Sequence, residues 1–191
     1  MGGYGKNCSV GAEVELIKVG DLISPQRGRR LVRSQLEEAG SYAVYQNSMK
    51  PPAYYHECSA SAGTAFVIVA GAAGEVGFSD AAFWAADAVY YFPVTDGLNN
   101  KYLYHFLLTK EHEILSQVRR ASIPRLSIAV VENLKIPTPP LHVQKEIVRM
   151  VKTSPPPPNG LSDLDGVVSL FIALRAMLVS NRSFGTANTL I

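Results

Sequence analysis

Hydrophobic and polar positions change period several times along this chain, and each change predicts a boundary between elements. Val14-Glu15-Leu16-Ile17 alternates briefly before a polar turn at Gly20-Asp21, so Glu13 to Ile23 reads as a strand entering a loop. Tyr42 to Tyr55 interleaves aromatic and amide positions, the pattern of an extended segment with one polar face and a turn at Pro51-Pro52. The small residues Gly71-Ala72-Ala73-Gly74 predict a tight turn joining Thr64 to Ala70 with Val76 to Ser79 in one hairpin. Phe83 and Trp84 are core candidates, and Val89-Tyr90-Tyr91-Phe92 continues the β pattern. After a turn at Asp96-Gly97, Asn99 is a good N-cap for a helix from about Lys101 to Val118. Its buried stripe is Leu103, Phe106, Leu107, Ile114, Leu115 and Val118, and Arg119 and Arg120 close it, where they favour the helix dipole. His105 and His112, seven positions apart on that helix, read as surface or boundary residues, since no third metal ligand is suggested nearby.

The stretch Ser122 to Val151 is the most structured in its punctuation. Ile123-Pro124 stops the preceding helical pattern, because a residue before proline is pushed toward extended geometry. Ser127 can cap a short helical turn through Ile128 to Asn133, Leu134-Lys135-Ile136 alternates as a brief strand, and Pro137, Pro139 and Pro140 fix a stiff corner. From Leu141 the spacing is helical again, with Leu141, Gln144, Ile147, Val148 and Val151 along one side.

These residues resemble a known family. Ile-Pro-x-Leu-Ser, then Leu-x-Ile-Pro-x-Pro-Pro-Leu, then Gln144 followed by Glu146-Ile147-Val148, is similar to the segment that closes a target recognition domain in the DNA-specificity (S) subunits of type I restriction-modification systems. Tyr42 to Ser48, Phe66 to Gly74, Phe83 to Asp87 and Lys101 to Leu107 agree in the same order, so the resemblance covers roughly Glu13 to Val151. It implies an α/β fold, a twisted, mixed β-sheet with helices packed at one side. It also implies a non-catalytic domain that reads one half of a bipartite site on double-stranded DNA. Separate methyltransferase (M) and restriction (R) subunits would bring the S-adenosylmethionine and ATP chemistry, so the chain itself needs no cofactor.

Composition narrows the picture without deciding it. Hydrophobic residues are 47% of 191, enough for a core, and charged residues at 18% fall below the roughly 25% usual for soluble proteins. A net charge of +2 is compatible with nucleic-acid binding only if the basic groups gather on one face. Gln26 to Arg33 is the densest such group, with Arg27, Arg29, Arg30 and Arg33 and no acid before Glu37. Arginine presents a planar fork of donors suited to phosphate oxygens and to the O6/N7 edge of guanine, and Gly28 would let the backbone come close to DNA. From the residues alone a solvated loop fits equally well; the resemblance favours DNA contact. Gln46, Asn47, Ser48, Lys50, Tyr54 and Tyr55 are the base-reading and phosphate-reaching candidates, amides because they can pair with adenine.

Enzymatic alternatives find little support. Lys50-Pro51-Pro52-Ala53-Tyr54 superficially matches the amine-holding loop of amino-methyltransferases, but Lys50 replaces the amide or acid and Ala53 the aromatic. Gly71 to Gly77 has the wrong glycine spacing for a dinucleotide loop. His56, Glu57 and Cys58 are adjacent in sequence, so on an extended chain they point to alternate faces. Cys8 and Cys58 are too few for a zinc site or a disulfide framework, and Met1 to Gly11 has no apolar signal core, which predicts a cytoplasmic protein off the membrane.

The expected organisation is a recognition domain over 1–152, a proline-rich linker over 153–160 and a C-terminal helix and tail over 161–191. That last part departs from the family, whose subunits continue into a long spacer helix. Here Pro155 to Pro158 break the chain, and the stripe from Leu164 to Leu178 should pack on its own domain or pair with a second copy in a homodimer.

Overall fold

A computed structural model describes residues 14–153. Except for Thr153, the linker and the C-terminal helix expected from the sequence lie outside them, as does Cys8. In chain order the elements are β1 (Leu16–Lys18), α1 (Val19–Leu22), β2 (Gln26–Arg27), a 3-10 turn (Arg33–Gln35), β3 (Tyr42–Tyr45), β4 (Ala53–Tyr55), β5 (Thr64–Ile68), β6 (Val76–Ser79), β7 (Phe83–Ala85) and β8 (Val89–Tyr91), then α2 (Asn100–Thr109), α3 (Glu111–Ser116), α4 (Ile128–Glu132), β9 (Lys135–Pro137) and α5 (Leu141–Thr153).

The fold is mixed α/β, with its strands divided among three small sheets. The first pairs β1 with β9, the second has the order β2-β8-β5-β6, and the third the order β4-β3-β7. All pairings are antiparallel except β3 with β7, which run parallel in register Val44 opposite Trp84.

Strand β5 explains how these layers stack. Every one of its residues is buried, the mark of a strand covered on both faces. Because successive side chains alternate, Ala65 and Val67 join the main core with Tyr102, Leu103, Phe106 and Leu107 of α2, while Phe66 and Ile68 join a second core with Phe83, Ala85 and Val89. The same alternation operates one layer further out. Phe83 and Ala85 of β7 face inward, and Trp84 faces outward with Val44 and Tyr55, where Leu31 and Leu36 cover them. The order is therefore helices, four-stranded sheet, three-stranded sheet, and finally the stretch from Leu31 to Leu36 as an outer cover.

Several local expectations needed correction. The strand expected to end in a loop near Gly20 instead continues into the single turn of α1. The long helix from Lys101 breaks at Lys110 into α2 and α3. At the break the Thr109 hydroxyl donates to the Phe106 carbonyl at 2.6 Å and the Lys110 N–H bonds Leu107 at 3.0 Å, so local side-chain bonding replaces the regular ladder. His105 and His112 consequently sit on different helices, and Leu115 stays 41% exposed. Arg119 and Arg120 do not close a helix, because α3 ends at Ser116. On α5 the buried side begins at Gln144, with Leu141 left 37% exposed. Asn99 caps α2 as expected, accepting from the Lys101 and Tyr102 N–H groups. Ser127 occupies the N-cap of α4, but its hydroxyl makes no capping bond.

Candidate nucleic-acid interface

The arginine segment is held to the sheets through its backbone, which leaves its side chains outward. Arg27 lies on the edge strand β2, opposite Tyr90 of β8. The Gly28 N–H donates to Val89 and the Arg29 N–H to Ala85, both at 2.9 Å, and the Trp84 indole N–H donates to the Arg29 carbonyl at 3.0 Å. A Cβ on Gly28 would stand 2.2 Å from the Ala86 oxygen and 2.4 Å from the Ala85 oxygen. Gly28 is thus required for close packing of this segment on the protein's own backbone, which corrects the expectation that it makes room for DNA. Arg27, Arg29, Arg30 and Arg33 are all exposed.

A second basic segment comes from far along the chain. Arg119 and Arg125 exchange backbone hydrogen bonds at 2.9 and 3.1 Å, closing the loop between them, and Arg125 also pairs with Ala70. The Gly71 N–H donates to the Pro124 carbonyl at 3.2 Å, and the Ala72 N–H donates to the Asn47 carbonyl at 3.0 Å. Gly71 has φ +85°, and a Cβ there would lie 2.7 Å from that of Asn47, so only glycine fits the contact. The turn at Gly71–Gly74 thereby brings the loop bearing Asn47 beside the loop bearing Arg125.

Between these segments is an open cleft of about 320 Å³, whose lining includes Arg27, Asp87, Arg125 and Ser127. The Arg27 Nε donates to the Asp87 carbonyl at 3.1 Å, which orients its guanidinium. Arg125 and Ser127 were missed as site residues, since the sequence signal was only a lone arginine after proline, 98 positions from Arg27.

The other candidates divide by burial. Asn47 and Lys50 are exposed, Gln46 and Ser48 half-buried, and the Ser48 hydroxyl accepts from the Lys50 N–H at 3.2 Å. Tyr54 is 41% exposed on β4. Tyr55 is a correction: it is only 8% exposed and meets Trp84 edge-on at 4.9 Å, so it belongs to the core and offers no stacking platform. His56 hydrogen-bonds with Glu37 at 2.8 Å, and Cys58 is exposed with a free thiol. Among the described residues no cluster of His, Cys, Asp and Glu could hold a metal ion, and no helix is long and apolar enough to cross a membrane.

Of ten arginines, four lie in 27–33 and three in 119–125, and none of these seven forms an ion pair among the described residues. Three basic groups elsewhere are paired with acids: Lys101 with Asp80, Lys110 with Glu113 and Arg149 with Glu146. Hydrogen bonding from Arg149 holds the Glu146 carboxyl below its ordinary range, a surface pair on α5.

The family model for the type I restriction modification DNA specificity domain matches residues 12–154. The chain belongs to that family. As a member of this specificity-domain family it is 30% identical over 154 residues to the Haemophilus influenzae type I restriction enzyme specificity subunit S.HindORF215P, covering 74% of this chain and 37% of that one. It is 34% identical over 71 residues to the type I restriction enzyme MjaVIII specificity subunit of Methanocaldococcus jannaschii, covering 37% and 14%. Among solved structures, the S subunit from M. genitalium superposes with a TM-score of 0.65 at 17% identity, over 75% of this chain and 40% of that one. The HsdS subunit from Thermoanaerobacter tengcongensis gives 0.58 at 16%, over 88% and 42%. These likenesses establish the specificity-domain fold, and the chain spans less than half the length of each of these relatives.

Proposed function

We propose that this specificity domain binds double-stranded DNA as a non-catalytic target recognition module, reading one half of a bipartite site. The observation that carries this is the gathering of seven arginines, free of ion pairs among the described residues, on two segments that meet at one cleft, the second of them joined through the Gly71–Gly74 turn to the amide-bearing loop at Gln46–Lys50. Arginines in that number anchor a duplex through its phosphates, and the adjacent amides supply the base-edge contacts. Membership of the specificity-domain family supports the same conclusion and points to methyltransferase and restriction subunits as the protein partners. The recognition domain covers 1–152, with 153–191 as its appendage, and the protein works in the cytoplasm.

Binding to duplex DNA across a salt series tests this. Log affinity should fall with log salt by about 0.9 per phosphate neutralised. Replacing Arg29 and Arg30 with alanine should weaken binding to every sequence and flatten the slope by roughly one to two units. Replacing Gln46 or Asn47 should cost roughly 1 to 3 kcal/mol on the preferred sequence, with the slope unchanged. Equal affinity and equal slope for wild type and the double arginine variant would remove the DNA-facing role from this segment.

A further inference from the structure

We propose that the cleft lined by Arg27 and Arg125 seats one phosphodiester unit of the DNA backbone. This rests on the DNA-binding function proposed above and assigns it a particular pocket.

Both guanidinium groups start from fixed backbones. Arg27 is paired with Tyr90 in the sheet, and Arg125 is paired on one side with Ala70 and on the other with Arg119. Little backbone ordering remains to be done on binding, which favours a preorganised contact. Arg27 commits its Nε to the Asp87 carbonyl at 3.1 Å, so its terminal NH₂ groups remain for a ligand. Ser127 adds a hydroxyl that its helix does not use as a cap. Two guanidinium forks and a hydroxyl match an acceptor with several oxygens.

Charge and size select the ligand further. The charged residues lining the cleft are Arg27, Arg125 and Asp87, a net of one positive charge, which is complementary to a phosphodiester with its single negative charge. At about 320 Å³ the cleft exceeds a bare phosphate and leaves room for an attached sugar against Val69 and Ile128. Asp87 has a role in this arrangement: its carboxylate lowers the field of the two arginines, so a group of higher charge gains less than it would from arginines alone.

The test uses the full chain and a random-sequence duplex pool, titrated from low salt upward, so no target sequence need be known. Arg125→Ala should flatten the salt slope by about one unit and weaken low-salt binding roughly tenfold. Arg125→Lys should keep the slope, because the charge stays, but lose part of the affinity with the fork. Asp87→Asn should tighten low-salt binding several-fold by removing the opposing charge. Arg149→Ala, on a surface pair that is not part of the cleft lining, should behave as wild type. Circular-dichroism melting should show all four variants folded, and Arg125→Lys keeps the test valid if the alanine variant does not fold. If Arg125→Ala matches wild type in slope and affinity while Arg29 and Arg30 variants are weakened, the cleft is not a phosphate seat and the DNA-binding function stands. If Arg125→Ala keeps DNA binding but no longer co-purifies with a methyltransferase subunit, the cleft takes an acidic protein surface instead. Wild-type chain without salt-dependent duplex binding overturns both proposals.

Discussion

The side-chain oxygen of Gln144 accepts the backbone N–H of Asn99 at 2.8 Å, across 45 residues of sequence. The other end of the same amide donates to the Pro139 carbonyl at 2.8 Å, and Gln144 itself is only 2% exposed. Asn99 in turn caps α2 with its own side chain. One buried amide therefore ties the start of α5 to the start of the central helix, and through that helix to the sheet beneath it.

Replacing Gln144 with leucine should keep the volume and remove both bonds, leaving an N–H and a carbonyl without their partners. The expected loss is about 2 to 4 kcal/mol of stability, read from urea unfolding. A loss under about 0.5 kcal/mol would mean that water or neighbouring groups replace the amide.

Gly28→Ala should lift the arginine segment from the sheet, since its Cβ would overlap the Ala85 and Ala86 carbonyls. Stability and DNA affinity should fall together. The chain has one tryptophan, and Trp84 donates to the Arg29 carbonyl, so its emission should report the displacement directly. Gly97→Ala meets nothing within 4 Å and should stay within about 0.5 kcal/mol of wild type.

Tyr102 is completely buried and its hydroxyl donates to the Pro137 carbonyl at 2.9 Å; burial pushes its phenol well above the ordinary tyrosine range. With the folded-state pKa raised, the folded protein holds this proton more tightly than the unfolded chain does. The contribution is complete below the unfolded tyrosine value near 10 and declines as pH rises beyond it. Stability should therefore drop above about pH 10. Tyr102→Phe should lose roughly 1 kcal/mol at neutral pH and lack this part of the alkaline decline, as measured by melting at a series of pH values.

Much of the local structure was legible because local physics sets it. The Asn99 cap, the turn of glycines with positive φ, the hairpin of β5 and β6, and the proline corner before α5 all depend on residues within a few positions of each other. The helix break at Lys110 was hidden because the apolar stripe continues through it, while the competing Thr109 hydroxyl is one group among many helix-compatible ones. Tyr55 was misassigned because alternation shows only that neighbouring side chains take opposite faces. Which face meets Trp84 depends on the register between β4, β3 and β7.

By itself the sequence determined the family, the α/β class and the basic character of the 27–33 segment, because motif order and a run of four arginines are properties of the chain as written. Only the tertiary structure decided that Arg125 joins Arg27, that Gly28 is consumed by packing, and that the amide loop lies beside the loop bearing Arg125. Those relations arise from backbone pairings between segments far apart in sequence, Arg27 with Tyr90, 63 positions on, and Arg125 with Ala70, 55 positions back. Such pairings are selected by the burial of both faces of β5 and by the register of its neighbouring sheets. No short window of sequence contains that information.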